Sequence, residues 1–210
     1  MACQTQCRQI PTGSVPLIKA QTEVVTAENL FPYSLADRDG DGWSEDFLPR
    51  PECAGKIKIS GAPDDPEAEV ELEQTGCGYL DSKNFAVEEG RRYLFAVDLK
   101  IENMRFDLSD NQETRGIICF VYSVCGKRNI GGRVFAPGST GGWVTLMLPF
   151  DTARTPQLAK LRIMLRCYNL SGTVHFRRPT VIPLPREILM KTHYIDMDGR
   201  IYTESDAMMR

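Results

Sequence analysis

Hydrophobic and polar residues alternate along much of this chain with a period of two. In the run 91–103, apolar side chains occupy every second position from Tyr93 to Ile101, and the charged side chains of Asp98, Lys100 and Glu102 lie on the other face. The runs 144–150 and 161–167 show the same alternation. Successive side chains of a β-strand point to opposite faces of the sheet, so this pattern predicts strands with one buried face. No long segment shows the 3.6-residue period of an amphipathic helix.

The predicted strands are short and are separated by turn residues. They are 14–20, 22–27, 56–60, 68–75, 84–87, 91–103, 115–124, 132–136, 143–150, 160–168 and 173–184. Stretches such as "APGSTGG" and "NLSG" supply the glycine, proline and asparagine that turns need. Many short strands with such turns predict an all-β fold, a two-sheet antiparallel β-sandwich of the jelly-roll type.

Three segments follow from this pattern. Residues 1–13 are polar without periodicity and are predicted to be an N-terminal tail. Residues 14–185 form the predicted β-sandwich domain. Residues 186–210 form a C-terminal extension, in which "YIDMDGRIY" predicts a hairpin with Asp198 and Gly199 in its turn. The extension either pairs onto the sandwich or begins another domain of a longer natural chain.

Composition and charge narrow the function classes. The chain has 210 residues, of which 42% are hydrophobic and 25% charged, as in an ordinary globular domain. Its formal charge is -3, without a basic stripe, so we expect no nucleic-acid partner. No apolar run approaches the roughly 20 residues that span a bilayer, so we expect no membrane span.

The seven cysteines leave the redox compartment open, because an odd number cannot all pair within one chain. Cys119 and Cys167 lie in apolar strand-like runs and are expected to be buried thiols. Cys53 and Cys77 lie in turn-rich segments and could pair with each other. Cys3 and Cys7 have the spacing of half a zinc site, but no second pair matches, so zinc is not expected.

The stretch "DRDGDGWSEDF", residues 37–47, has the composition of a calcium loop. Alternating aspartates place oxygens on one side, and a glycine lets the chain turn sharply around a cation. The candidate ligands are Asp37, Asp39, Asp41, the carbonyl of Trp43, and Glu45. Position twelve is Leu48, so the loop lacks the last glutamate of an EF-hand. Calcium here would be structural, and a solvated Asp/Gly turn is the alternative.

The sequence offers little sign of catalysis. Only two histidines occur, and the alternation places His175 away from the core, on the protein surface. No G-x-S-x-G elbow is present, and no pair of carboxylates is placed by sequence across a cleft. We therefore expect that this 210-residue chain has no catalytic activity and is not an enzyme.

From about Asn29 to Pro185 the chain resembles the jelly-roll carbohydrate-binding modules of bacterial glycoside hydrolases. The resemblance rests on three pieces, "ENLFPYSLADRDGDGWSEDF", "FAVEEGRRYLFAVDLKIEN" and "GGWVTLMLPF" with the following "LRIMLRCYNLSGTVHFRRPTVIPL". Many such modules have an aspartate after the phenylalanine equivalent to Phe176, where it holds a structural calcium. Here Arg177 and Arg178 follow instead, which argues against calcium at that position.

The resemblance implies a non-catalytic module that binds polysaccharide or oligosaccharide, within a secreted or cell-surface bacterial protein. No signal-peptide pattern is visible, so a cytoplasmic location is the alternative. Aromatic faces and planar polar side chains bind sugars, and they suggest one set of ligand-binding candidates. That set is Trp43, Tyr122, Arg162, Arg166 and Tyr168. Arg162 and Arg166 could also join His175 and Arg177 in a basic patch for an acidic polysaccharide.

Two other functions stay open at this point. The first is a structural or protein-interaction β-sandwich without a sugar site. The second is a small jelly-roll lyase or hydrolase. An exposed aromatic platform would favour sugar binding, whereas a cleft with paired carboxylates or a tyrosine beside arginine would favour an enzyme.

Overall fold

The computed structural model describes residues 28–49, 56–106, 116–124, 127–135, 140–152, 160–184, 193–195 and 201–203. These residues form ten β-strands, and no helix occurs among them. The strands are β1 (Phe47–Pro49), β2 (Lys56–Ala62), β3 (Asp65–Ser82), β4 (Arg92–Phe106), β5 (Gly116–Ser123), β6 (Arg128–Phe135), β7 (Val144–Asp151), β8 (Leu161–Pro183), β9 (His193–Ile195) and β10 (Ile201–Thr203). The predicted all-β class is confirmed.

Two long strands organise the sandwich. β8 has 23 residues and β3 has 18, and they pair antiparallel along most of their length. Their first and second parts belong to different halves of one curled sheet. The first half-sheet contains β2, residues 65–72 of β3, residues 172–183 of β8, β4 and β7. The second half-sheet contains β1, residues 76–82 of β3, residues 161–170 of β8, β5 and β6.

The two long strands bend where their pairing is irregular. The register of β3 on β8 shifts between Leu72 and Gly76 and again before Gly78. On β8, Asn169 has a φ of 51° and Gly172 a φ of 125°, in the left-handed region that asparagine and glycine tolerate best. "NLSG" was predicted as a turn between two strands, and this is wrong. It is an irregularity inside one strand, because neighbouring strands continue the hydrogen bonding on both sides.

The inner faces of the half-sheets meet in one apolar core. The alternation predicted for β4 is confirmed, because Tyr93, Phe95, Val97, Leu99 and Ile101 are all buried. They pack with buried residues of β3, β5, β7 and β8 in one cluster. Each fully buried side chain of this size contributes about 1.5–3 kcal/mol, so the clustered strands account for the fold without a helix.

The remaining predicted segments differ in how far the structure tests them. The predicted hairpin of the C-terminal extension is present as the antiparallel pair β9 and β10, with Tyr202 opposite Tyr194. The predicted strand 84–87 is reduced to one bridge between Phe85 and Leu161. The N-terminal tail and the strands predicted at 14–20 and 22–27 lie outside the described residues.

Candidate functional site

The aspartate loop between residues 37 and 45 is folded around its own carboxylates. Asp37 accepts hydrogen bonds from the backbone N–H groups of Gly40 and Gly42, both at 2.8 Å. The carboxylate of Asp41 accepts one from the N–H of Trp43 at 2.9 Å. Both glycines have positive φ, 82° and 90°, so the turn needs residues without a Cβ at these positions.

Glu45 closes the loop from its other end. Its Oε1 accepts hydrogen bonds from the N–H groups of Arg38 (2.7 Å) and Asp39 (2.9 Å). Its Oε2 is buried without a hydrogen bond, although the Nε of Arg38 lies 3.4 Å away. Partial burial acts to raise the pKa of Glu45, but the backbone donors of Glu45, Arg38 and Asp39 and the Arg38 charge outweigh it and hold the pKa below its usual value of 4.5.

The structure brings together three of the five predicted metal ligands. Asp37, Asp39 and Glu45 each offer a carboxylate oxygen, and these oxygens lie within 4.8 Å of one another. This spacing suits oxygens that share one Ca²⁺, for which each metal–oxygen distance is about 2.3–2.6 Å. Asp41 is not part of the cluster, and its carboxylate accepts the hydrogen bond from the N–H of Trp43.

Two large hydrophobic side chains next to this loop face solvent. Trp43 is 41% exposed and Leu48 is 54% exposed. Leu48 and Pro49 line two adjoining depressions of about 270 and 250 Å³. The first is completed by Asp41, Trp43, Ser44 and Glu45, and the second by Asp81, Ser82, Lys83, Asn84 and Arg162. We call the two depressions together the Leu48 groove.

Arg162 lies at the far end of the Leu48 groove on the outer face of β8. Its Nε and Nη2 donate to Oδ1 of Asn84 at 3.2 and 3.1 Å. Tyr122 of β5, the strand next to β8, is the cross-strand partner of Arg162. Asn84 is itself fixed, because its backbone carbonyl accepts a hydrogen bond from the hydroxyl of Tyr33 at 2.5 Å. The guanidinium is therefore oriented by a neutral amide.

Arg166 lies four residues further along the same face but has a different environment. It forms a two-pronged ion pair with the buried Asp81, at 3.0 and 3.1 Å from Nη2. Its guanidinium lies 4.9 Å from the ring centre of Tyr79 and 5.2 Å from that of Phe120. It also donates to the hydroxyl of Tyr168 at 3.2 Å. Arg166 and Tyr168 thus form an internal cluster and do not line the groove.

Two tyrosines of this cluster, Tyr79 and Tyr168, lie next to each other. The rings of Tyr79 and Tyr168 lie 4.9 Å apart. Burial raises the pKa of Tyr79, and its hydrogen bonds with Tyr168 and Cys77 add to the effect. Cys77 is a free thiol, so the structure does not contain the disulfide considered between Cys53 and Cys77. Cys53 lies outside the described residues.

The predicted basic patch does not form, because β8 bends between its members. His175 and Arg177 lie in the first half-sheet, whereas Arg162 and Arg166 lie in the second. His175 is also not a surface residue: it is buried between Glu67 at 2.6 Å and Glu102 at 3.0 Å. The carboxylates opposite the histidine leave no net positive surface there.

Arg177 and Arg178 form ion pairs where the resembling modules have an aspartate. Arg177 lies 3.3 Å from Asp98, and Arg178 forms two hydrogen bonds with Asp65 at 2.8 and 2.7 Å. The guanidinium of Arg177 also covers the ring of Trp143 at 3.9 Å. Cations thus occupy this place on β8.

Sequence reasoning missed the centre of the groove. Of the five predicted sugar-binding residues, Trp43 and Arg162 line it, and Tyr122 is the cross-strand partner of Arg162. The missed residues are Leu48, Lys83 and Asn84. Leu48 lies in the short proline-containing strand β1 that follows the aspartate-rich loop, and its apolar side chain there was a signal in its own right. Lys83 and Asn84 carried no such signal, because β3 brings them to the groove only after its bend.

Comparisons with known proteins bear on the fold. No protein-family model matches the chain, and no curated protein matches it in sequence. Among solved structures, the chain is similar to one described as "CBM4 structure and function", with a TM-score of 0.50 and 10% identity over 74% of this chain and 97% of that one.

Two further similar structures are enzymes by their descriptions. One is the enzymatically active domain of tailspike protein 4 of bacteriophage CBA120, with a TM-score of 0.50 and 8% identity over 67% of this chain and 20% of that one. The other is the Stig cyclase Fisc from Fischerella sp. TAU, with a TM-score of 0.49 and 12% identity over 68% of this chain and 87% of that one.

Sequence identities this low show the fold alone. Within the part of the chain that the structure describes, there is also no helix long and apolar enough to cross a bilayer. The chain therefore has the antiparallel β-sandwich fold that carbohydrate-binding modules also have.

Proposed function

We propose that this β-sandwich is a non-catalytic carbohydrate-binding module that takes a polysaccharide or oligosaccharide in the Leu48 groove. The observation that carries the proposal is the exposure of Trp43 and Leu48 beside oriented polar groups. Sugar rings have apolar C–H faces and hydroxyl edges, so they bind where an aromatic or apolar surface adjoins planar hydrogen-bonding side chains. Asn84 and Arg162 supply such side chains at one end.

The shape of the groove favours an extended ligand. Its two depressions are each smaller than the roughly 300–1,000 Å³ of pockets that enclose a drug-sized molecule. They meet at Leu48 and Pro49, so together they form an open track. A chain of sugar units can lie along such a track with successive units on Trp43, on Leu48 and beside Arg162.

The charges of the groove support a non-catalytic role. A glycosidase needs a proton-donating carboxyl with a raised pKa opposite a second carboxylate. The pKa of Glu45 is instead held low. Asp81 is neutralised by Arg166, and Asp41 accepts the hydrogen bond from Trp43. These three carboxylates are therefore poor candidates for an acid–base pair.

We further propose that the aspartate loop holds a structural Ca²⁺ through Asp37, Asp39 and Glu45. The fit rests on the three clustered oxygens and on Glu45 Oε2, which is buried without a hydrogen bond. A bound cation would satisfy that oxygen and reduce repulsion among the carboxylates. It would also stiffen the backbone that carries Trp43 into the groove.

The expected setting is a longer bacterial protein that processes polysaccharide outside the cell or at its surface. Support for it comes from the sequence resemblance to modules of glycoside hydrolases. Binding without catalysis is useful in that setting, because it raises the local concentration of substrate near an attached enzyme.

A glycan array run with and without a chelator tests the proposed function, followed by calorimetry on the best glycan. Trp43→Ala should weaken binding by roughly two- to tenfold or more, as expected for the loss of an aromatic contact of about 0.5–1.5 kcal/mol. Arg91→Gln, whose side chain pairs with Glu88 away from the groove, should bind like the unmodified protein. Absence of binding under both conditions would favour the structural or protein-interaction role, and shortened glycan products would favour an enzyme.

A further inference from the structure

The far end of the Leu48 groove, where Arg162 lies, carries positive charge that the protein does not neutralise there. Within the described residues, Arg162 contacts the amide oxygen of Asn84 and no carboxylate. The neighbouring Arg166, in contrast, forms an ion pair with Asp81. A partly buried guanidinium normally pairs with an anion, because removing its charge from water is unfavourable.

The acidic residues around this depression are already committed. Asp81 lines it, but both of its carboxylate oxygens accept hydrogen bonds from Arg166. Asp46 is buried and pairs with Arg38 at 2.7 Å. Lys83 lies 3.5 Å from Asp46 as a second cation on the same carboxylate, and its side chain is 48% exposed. Arg38 also lies 3.4 Å from Glu45, so Arg38 and Lys83 share two carboxylates. Of these two cations it is Lys83, held only at 3.5 Å from Asp46, that lines the depression.

We propose that the Leu48 groove binds an anionic glycan, with the carboxylate or sulfate of one sugar unit held by Arg162 and Lys83. This inference rests on the proposed carbohydrate-binding function and names the chemical class of its ligand. Nε and Nη2 of Arg162 face Asn84, so Nη1 and the remaining N–H of Nη2 are the donors left for an anion. Leu48 and Pro49 then lie under the apolar face of the same or the next sugar.

The overall charge of the protein makes this local site selective. The formal charge of the chain is -3, so a polyanion is not attracted to the surface as a whole. Binding must therefore depend on the few cations of the groove. We expect it to weaken with added salt, since partly exposed charge pairs are screened.

The test compares glycans that differ only in charge. The probes are polygalacturonate, the same polymer after reduction of its carboxyl groups, dextran, and dextran sulfate. The variants are Arg162→Gln and Lys83→Gln, with Arg162→Lys to keep the charge and Arg91→Gln as the matched control. Melting temperatures show whether each variant is folded, because Arg162→Gln also removes the hydrogen bonds to Asn84.

The proposal requires that the unmodified protein bind an anionic polymer more tightly than its neutral counterpart. Arg162→Gln should reduce that binding by about tenfold or more, as expected for a hydrogen bond to a charged group. Arg162→Lys should retain part of it, and Arg91→Gln all of it. Preference for polygalacturonate assigns a carboxylate as the anion, and preference for dextran sulfate assigns a sulfate.

Two results would overturn the proposal, and they differ. Equal binding of charged and neutral polymers, weakened by Trp43→Ala but not by Arg162→Gln, would leave the carbohydrate function standing and remove the anion. It would mean that Arg162 serves only to hold the side chain of Asn84 in place. Failure to bind any of the four polymers, or any glycan on an array, would remove both.

Discussion

Arg162 and Arg166 lie four residues apart on one face of β8, yet they are not equivalent. From the sequence, both are predicted to lie on the outer face and to contact sugar. The structure sets Arg162 against a neutral amide in the groove and Arg166 against the buried Asp81. The difference arises from β3, which brings Asp81 to one arginine and leads to Asn84 at the other. Tertiary pairing thus separates a candidate ligand residue from a structural one.

This difference predicts unequal effects of removing charge on stability. Arg166→Met should lower the free energy of unfolding by about 3–5 kcal/mol, because it leaves the Asp81 carboxylate, only 6% exposed, without its guanidinium. Arg178→Met removes the arginine of an exposed pair with Asp65 and should cost at most about 1 kcal/mol. Urea unfolding of both variants measures the contrast. Equal losses would mean that the Arg166 pair contributes no more than a surface ion pair.

The aspartate loop makes a second prediction at the residue scale. Adding Ca²⁺ to chelator-treated protein should release or absorb heat in a titration and raise the melting temperature, since a ligand that binds only the folded state stabilises it. Asp37→Ala should abolish both effects. Asp64→Ala, in the turn between β2 and β3, is the control and should leave them intact. Neither heat nor a thermal shift in the unmodified protein would identify the loop as a self-capped turn.

At the scale of elements, the bend of β3 decides how the half-sheets meet. Val70 and Gly78 belong to the same strand, yet a Cβ on Gly78 would overlap the side chain of Val70. The glycine therefore sits where two parts of one strand close on each other across the core. This close approach fixes the bend by which β3 passes from one half-sheet to the other. The bend in turn sets the positions of Asp81 and Asn84, which follow it in the chain.

Substitutions at Gly78 should report on this closure. Gly78→Ala is expected to destabilise the protein by about 1–3 kcal/mol, the usual effect of overpacking a core. Val70→Ala removes the overlapping atoms, so the double variant should be less destabilised than the sum of the two single variants. Gly142→Ala, where an added Cβ meets nothing within 4 Å, is the neutral control. Additive single effects in denaturant unfolding would show that the two residues do not press on each other.

At the scale of the whole molecule, ion pairs tie the outer surface of the sandwich together. Arg178 acts by hydrogen bonding to lower the pKa of Asp65 below its usual 3.8. Lys100 first, and His175 after it, lower the pKa of Glu102 below its usual 4.5. With Glu45 in the aspartate loop, carboxylates in three separate regions are held ionised in the folded protein.

This distribution predicts a loss of stability in acid. A carboxylate whose pKa is lower in the folded state binds fewer protons there than in the unfolded chain, so stability falls as pH decreases. The contribution should be complete above the usual carboxyl pKa of 4.5 and be lost as the pH falls through the lowered pKa values of the folded protein. Melting temperature measured from pH 7 to pH 3 checks this. A melting temperature that rises on acidification would contradict it.

The sequence by itself determined which faces of the strands are buried. Alternation is a local property of the chain, so the core face of β4 and the outward direction of Arg162 and Arg166 could be predicted from it. The acidic loop could be recognised for the same reason, because its aspartates and glycines are neighbours in the chain. Both depend only on residues a few positions apart.

Only the tertiary structure decided which outward residues meet. The bends of β3 and β8 come from irregular pairing and glycine packing, and no periodicity shows where they fall. These bends join three segments that are far apart in sequence into one groove: the segment with Trp43 and Leu48, the segment with Asn84, and the segment with Arg162. They also part Arg162 and Arg166 from His175 and Arg177. Contacts between distant segments depend on how the sheet curls, and that is a property of the whole molecule.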